Sequence, residues 1–317
     1  MRPSKNICST QNNPLESSVL SSSRTIFLSL LAWLTVMIPA AGQLPDWVDL
    51  HNRADQIDLN QARQATEREA ASEADFYVLG LVYLNRHETA RAREAFEKIL
   101  DGNPDSREGR WGMAEVYRRE HRYDKSRELL NQLIEEYPDY ASPVISLAYV
   151  NYVNMDFPAA AQWAARAINL GDDRLDRNNF LRAHGLYAAA KGMIAYYGGP
   201  LSKVINHAAV VRHLNIIEER APEHPVVTFG IGSYHMLIPP VLGRDLEKAR
   251  EYLEKTIEAD PLFPDPYVRL AQIYRIKGDR QKYRDLITKA LELDPKNELA
   301  LDIETRQCNF ICFDDKN

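Results

Sequence analysis

From about residue 73 onward the apolar and polar positions repeat every 34 residues. Pro104 and Pro138 are 34 apart, as are Pro261 and Pro295, and Tyr83 and Tyr117. One unit reads Phe76-x2-Leu79-Gly80-x2-Tyr83, then Ala92-x3-Phe96, then Pro104; the next reads Met113-Ala114-x2-Tyr117, Ser126-x3-Leu130, Pro138. A third has Leu147-Ala148 and Ala160-x3-Ala164 with Asp172 in the proline position, and the last has Tyr267-x2-Leu270-Ala271-x2-Tyr274, Tyr283-x3-Ile287, Pro295. Apolar residues at steps of three and four predict helices. The small residue (Gly80, Ala114, Ala148 or Ala271) predicts a point where two helices cross closely. The proline predicts the end of the second helix, because it cannot continue the backbone hydrogen bonds. Each such hairpin leaves an apolar face that only the next hairpin can bury, so the expected fold is an all-α array.

The spacing of aromatic, Leu-Gly, Tyr, Ala, Phe and Pro in residues 76–104 resembles the tetratricopeptide repeat (TPR), with Phe76 in place of the usual tryptophan. The resemblance implies a right-handed solenoid of about six helix hairpins. A charged helix over about Arg53–Ala71, within residues 43–72, precedes three regular repeats over 73–174. Residues 175–263 fit the period only with insertions: Asp172 to Pro222 is 50 residues and Pro222 to Pro261 is 39. This predicts an enlarged fourth hairpin, with long helices about Asp176–Tyr197 and Leu201–Arg220 broken at Gly198-Gly199-Pro200. A last repeat over 264–297 and a capping helix with a cysteine-containing tail over 298–317 complete the array.

Within residues 176–262, Gly198-Gly199-Pro200-Leu201-Ser202-Lys203, Gly232-Ser233-Tyr234, Pro239-Pro240 and Gly243-Arg244-Asp245 resemble the TatT-type TPR proteins associated with TRAP transporters. That resemblance implies a periplasmic component of a solute-uptake system that binds a small amphiphilic ligand. The turn carries Gly-Arg-Asp where that family usually has Gly-Gly-Asp.

Ahead of the repeats, Arg24 precedes the apolar run Ile26–Ile38, and Pro39-Ala40-Ala41-Gly42 follows. A basic flank, a short apolar core and small residues are the layout of a secretory signal. Residues 1–42 are therefore expected to direct export to a periplasm, with cleavage before Gln43; an uncleaved anchor is the alternative. The chain is mildly acidic, with 39 Lys+Arg against 45 Asp+Glu and a formal charge of −6, which argues against nucleic acid as a partner.

The first helix of each hairpin is expected to line a concave face, which nominates Tyr77, Trp111, Arg118, Tyr149, Tyr152, Arg182, Phe229, Met236 and Arg275 as partner- or ligand-contacting residues, with Glu115 and Arg119 beside them. Aromatic and aliphatic side chains with a few arginines suit an extended peptide, a partner helix or an amphiphilic acid. The turn Ile238–Leu242 is apolar and is either a contact with a partner or second subunit or packing against the fourth hairpin. His207 and His213 are six apart and so face differently on a helix, which argues against a metal pair. No catalytic constellation or cofactor motif emerges, and an enzyme is not expected. Cys308 and Cys312 are four apart and can form a local disulfide in an oxidising compartment; free thiols are the alternative.

Overall fold

The computed structural model describes residues 46–313. The expected export segment and the last four residues lie outside that range. Among the described residues there are fifteen α-helices and no strand: α1 (Trp47–Gln56), α2 (Leu59–Thr66), α3 (Glu73–Asn85), α4 (Thr89–Gly102), α5 (Arg107–Arg119), α6 (Tyr123–Glu136), α7 (Ala141–Val153), α8 (Phe157–Asn169), α9 (Arg177–Tyr197), α10 (Pro200–Arg220), α11 (Pro225–Leu237), α12 (Leu246–Ala259), α13 (Asp265–Ile276), α14 (Arg280–Leu293) and α15 (Glu298–Glu304). Helices α3 to α14 form six consecutive hairpins. None of these helices is long and apolar enough to cross a membrane.

The prolines act through the residue before them. Asn103, Tyr137, Asp260 and Asp294 each follow the last helical residue, with ψ of 88°, 74°, 86° and 98° respectively. A following proline excludes the α region for its predecessor, so the second helix of each of these four hairpins stops two residues before its proline. The turn within a hairpin repeats as faithfully. Glu88, Arg122, Asp156 and Asp279 each donate a backbone N–H across five residues, to Tyr83, Tyr117, Asn151 and Tyr274, all at 2.9 Å. This six-to-one bond requires a left-handed residue just before the donor, and His87, His121, Met155 and Gly278 have φ of 59°, 60°, 63° and 79°. Outside glycine that conformation costs about 1–2 kcal/mol.

Close crossing is clearest in the first repeats. A Cβ added to Gly80 would lie 2.3 Å from the Phe96 ring, and one added to Gly112 would also lie 2.3 Å from it. Phe96, fully buried, is thus held between two glycines on α3 and α5.

Three features depart from the sequence reading. The charged helix expected over 53–71 is two helices, because Asp58 caps α2 by accepting the Gln61 backbone N–H at 2.9 Å, while the Gln61 side chain receives the Asp58 N–H at 3.0 Å. The apolar turn after α11 divides: Ile238 is buried, whereas Val241 is 90% exposed. After α15 the chain also turns inward instead of ending as a simple cap; of the two alternatives for Cys308 and Cys312, the structure has the disulfide, with Cα atoms 5.0 Å apart.

The array curls far enough for distant repeats to touch. His87 in the first hairpin turn bonds Asp260, which ends α12, at 3.0 Å. One repeat further on, His121 bonds Asp294, which ends α14, at 3.0 Å, and Glu298 of α15 at 2.7 Å. Both His–Asp pairs span 173 residues, so each of these turns meets the repeat four positions ahead. The two left-handed histidines are the clasps that close the curl.

Candidate binding cavity

The curl encloses a cavity of about 1730 Å3, lined by the first helix of every hairpin together with α1, α10, α15 and the C-terminal tail. One stretch of its wall is an arginine cluster around a single acid. Glu115 on α5 is 2% exposed and is gripped by Arg118 at 2.9 Å, with Arg182 of α9 at 3.7 Å. Burial pushes the Glu115 carboxyl up, but Arg118 and Arg182 outweigh it and hold its pKa well below the usual carboxylate range. The guanidinium of Arg118 also lies 4.5 Å from the centroid of the Tyr149 ring.

Arg119 differs from its neighbours. It lines the same cavity, its Nε is buried without a partner, and among the described residues it makes no ion pair within 4.0 Å. Burial, and then the charge of Arg118, bring its pKa down to about 10. Arg118 and Arg182 thus share one carboxylate, Arg119 stands half-buried beside them without one, and such a cation is costly unless a ligand anion completes it.

Of the residues nominated from sequence, Trp111, Arg118, Tyr149, Tyr152, Arg182 and Phe229 line this one cavity. Tyr77, Met236 and Arg275 do not. Tyr77 is fully buried because α1 lies over it: its hydroxyl meets His51 of α1 at 2.9 Å and Tyr140 at 3.2 Å. Met236 is fully buried in the core cluster that also contains Leu253, Val268 and Phe310. Arg275 turns to its own hairpin partner, its guanidinium 5.6 Å from the centroid of the Tyr283 ring on α14. Trp111, though it reaches the cavity, is only 2% exposed and donates to Ser146 at 3.3 Å, so most of it is packing.

The sequence reading contains the tail and its cysteine pair, but neither the tail's place in the cavity nor the clasps. A signal for the clasps was present, since His87 and His121 are 34 apart, as are Asp260 and Asp294. The histidines of the fourth and fifth hairpins pair locally instead: His184 and His213 meet at 3.0 Å, and burial takes His213 down to about 4.

Sequence models of the tetratricopeptide repeat match residues 83–148 and 264–297. The chain carries tetratricopeptide repeats. No curated protein matches it. Among solved structures, a TPR protein from Parabacteroides merdae is similar over 82% of this chain and 98% of its own, at 15% identity and a TM-score of 0.50. The Cut9–Hcn1 hetero-tetramer of the APC/C is similar over 81% of this chain, at 13% identity and a TM-score of 0.52, and human IFIT1, solved as a dimer with PPP-AAAA, over 76%, at 17% and 0.51. This chain spans 47% and 55% of those two proteins. At such identities the likeness concerns the fold; tetratricopeptide repeats generally mediate protein or peptide interactions.

Proposed function

We propose that the chain is an exported, non-enzymatic TPR scaffold that grips an extended segment of a protein partner in its superhelical cavity, an acidic group of that segment meeting Arg118, Arg119 and Arg182. Arg119 carries the reading: a half-buried guanidinium, its buried Nε without a partner, in a cavity wall that already holds two other arginines around one carboxylate. Cavity size supports a peptide over a small solute, because about 1730 Å3 exceeds the roughly 300–1,000 Å3 of small-molecule sites. The same comparison weighs against the TatT-like alternative.

Export is supported by the basic-then-apolar leader at Arg24–Ile38 and by the Cys308–Cys312 disulfide, which suits an oxidising compartment. The non-enzymatic reading is supported by ionisable groups already committed to one another, Glu115 to Arg118 and His121 to Asp294 and Glu298.

A peptide library displayed on phage and selected on the purified chain tests the site. Enriched extended peptides carrying Asp, Glu or a terminal carboxylate are expected, and Arg119→Gln should weaken their binding at least about tenfold, the value of one charge-assisted contact. Enrichment indifferent to acidic residues, or equal affinity in the variant, would remove the arginine cluster from the binding site.

A further inference from the structure

Residues 307–313 face the cavity as a turn, closed by the Cys308–Cys312 disulfide and by the Ile311 N–H donating to the Cys308 carbonyl at 3.3 Å. The chain leaves α15 through Arg306 and Cys308, both left-handed, and Ile311 is left-handed as well, with φ of 58°, 56° and 66°. Three left-handed non-glycine residues within six positions are not a conformation that this segment adopts by itself. The disulfide and backbone bonds to α15 set the turn locally, and side chains on other elements hold it in place. Arg269 of α13 donates to the carbonyl oxygens of Phe310 and Ile311 at 3.1 and 3.3 Å, and Gln272 of α13 donates to that of Ile311 at 2.9 Å. The Tyr197 hydroxyl donates to the Asn309 carbonyl at 2.8 Å, while Asp302 accepts the N–H groups of Asn309 and Phe310, both at 2.8 Å.

The side chains of the segment enter pockets. Phe310, Ile311 and Phe313 are each 6% exposed. The Phe310 ring lies 5.7 Å from Tyr152 and 6.3 Å from Phe157, and Arg244 covers Phe313 at 4.6 Å. Main-chain atoms held by fixed polar side chains, and side chains received in pockets, are two elements of peptide recognition.

Arg269 is the informative residue. It is 4% exposed, its Nε has no partner, and among the described residues it forms no ion pair within 4.0 Å; its hydrogen bonds go to Gln272 and to the tail carbonyls. A terminal cap needs only apolar filling there, which avoids burying an unpaired charge. A donor fork aimed at backbone carbonyls suits a site that reads main chain.

We propose that the wall behind the tail, formed by Arg269, Gln272, Tyr152, Phe157 and Tyr197, is a recognition site for an uncharged partner segment that folds into a turn of aromatic–aliphatic–x–aromatic pattern. Residues 307–313 occupy it in cis and compete with that segment. The inference goes beyond the acid-binding reading of Arg119, and its failure leaves that reading standing.

The test uses the full chain and a dye-labelled synthetic peptide, Gln-Cys-Asn-Phe-Ile-Cys-Phe with its disulfide closed, followed by fluorescence anisotropy. The wild type should bind it weakly. Phe310→Ala combined with Ile311→Ala weakens the chain's own tail and should tighten peptide binding at least about tenfold. Adding Gln272→Leu, which removes a donor to the peptide backbone, should lose that gain. A folded double variant that binds no better than wild type overturns the proposal. If the double variant does not fold, hydrogen exchange on the wild type decides. An exchangeable occupant gives Asn309 and Phe310 amides that open at least about a hundredfold more readily than those of α13, whereas a permanent plug exchanges with α13.

Discussion

Raising the pH past the titration of His121 should loosen the closed array. Burial pulls this imidazole down, but hydrogen bonds to Asp294 and Glu298 outweigh it and hold the pKa at about 9, above the ordinary 6.5. The folded-state value is raised, so the contribution is fully present below about pH 6.5 and is lost as pH rises through 9. A difference of about 2.5 pKa units corresponds to roughly 3.4 kcal/mol. The site remains partly open to water, with the ring 15% and its acidic partners 29% and 22% exposed, so screening reduces this to about 1–2 kcal/mol. Urea unfolding of the wild type and His121→Ala, at pH 6 and at pH 9.5, isolates the effect by difference, since other groups titrate equally in both. The wild-type advantage should be about 1–2 kcal/mol at pH 6 and should nearly vanish at pH 9.5. His121→Gly supplies a second arm: it also removes the clasp but relieves the left-handed strain at φ 60°, so it should be more stable than His121→Ala by about 1 kcal/mol. A wild-type advantage that is the same at both pH values would refute the assignment of His121 as a charged clasp.

Replacing Arg119 by Met should leave the chain as stable or raise its stability by about 1 kcal/mol in urea titration, because it removes a half-buried cation that has no ion-pair partner among the described residues, while peptide affinity falls. Glu115→Gln should do the opposite and cost about 3 kcal/mol, since Arg118 and Arg182 lose their shared carboxylate; a loss below about 1 kcal/mol would mean that the ion pair is solvated. Gly112→Ala places a methyl against the Phe96 ring and should cost about 1–3 kcal/mol in the same assay, with a near-neutral result showing that the ring can move aside. Acidification should weaken the clasp from the other side: His121 holds the Asp294 carboxyl below its usual range against the effect of burial, so that contribution is present above about pH 4 and fades as pH falls further, which Asp294→Asn should abolish.

What the sequence made legible were contacts between neighbours. The proline period marks where second helices stop because a pre-proline residue cannot be helical, and Gly80 and Phe96 mark one crossing because their sizes must match. Trp111, Arg118, Tyr149 and Arg182 could be placed on one surface from helical phase alone. Tyr77 could not, because the helix that buries it, α1, belongs to no repeat, and its Trp47–Leu50–Ala54 stripe does not tell which surface it covers. Met236 and Arg275 fail for a related reason: phase gives the direction of a side chain, not what lies opposite. The clasps and the tail are contacts between repeats far apart, and their placement depends on the accumulated turn of the whole array. The split between α1 and α2 was readable in Asp58-x2-Gln61, whose two side chains cap one another's backbone.

The two clasps also fix a count. A linear repeat array tolerates one hairpin more or fewer, since each unit answers only to its neighbours. Here His87 must find Asp260 and His121 must find Asp294, each 173 residues on, and both partners come from the same offset. Inserting or deleting a single 34-residue unit between them would carry both aspartates past their histidines together, leaving an open spiral where there was a closed one. The enlarged fourth hairpin lies inside that span, so its extra length belongs to the same geometric condition. Unlike most of its architectural class, this array has a correct number of parts, and its ends should unfold together instead of fraying one repeat at a time.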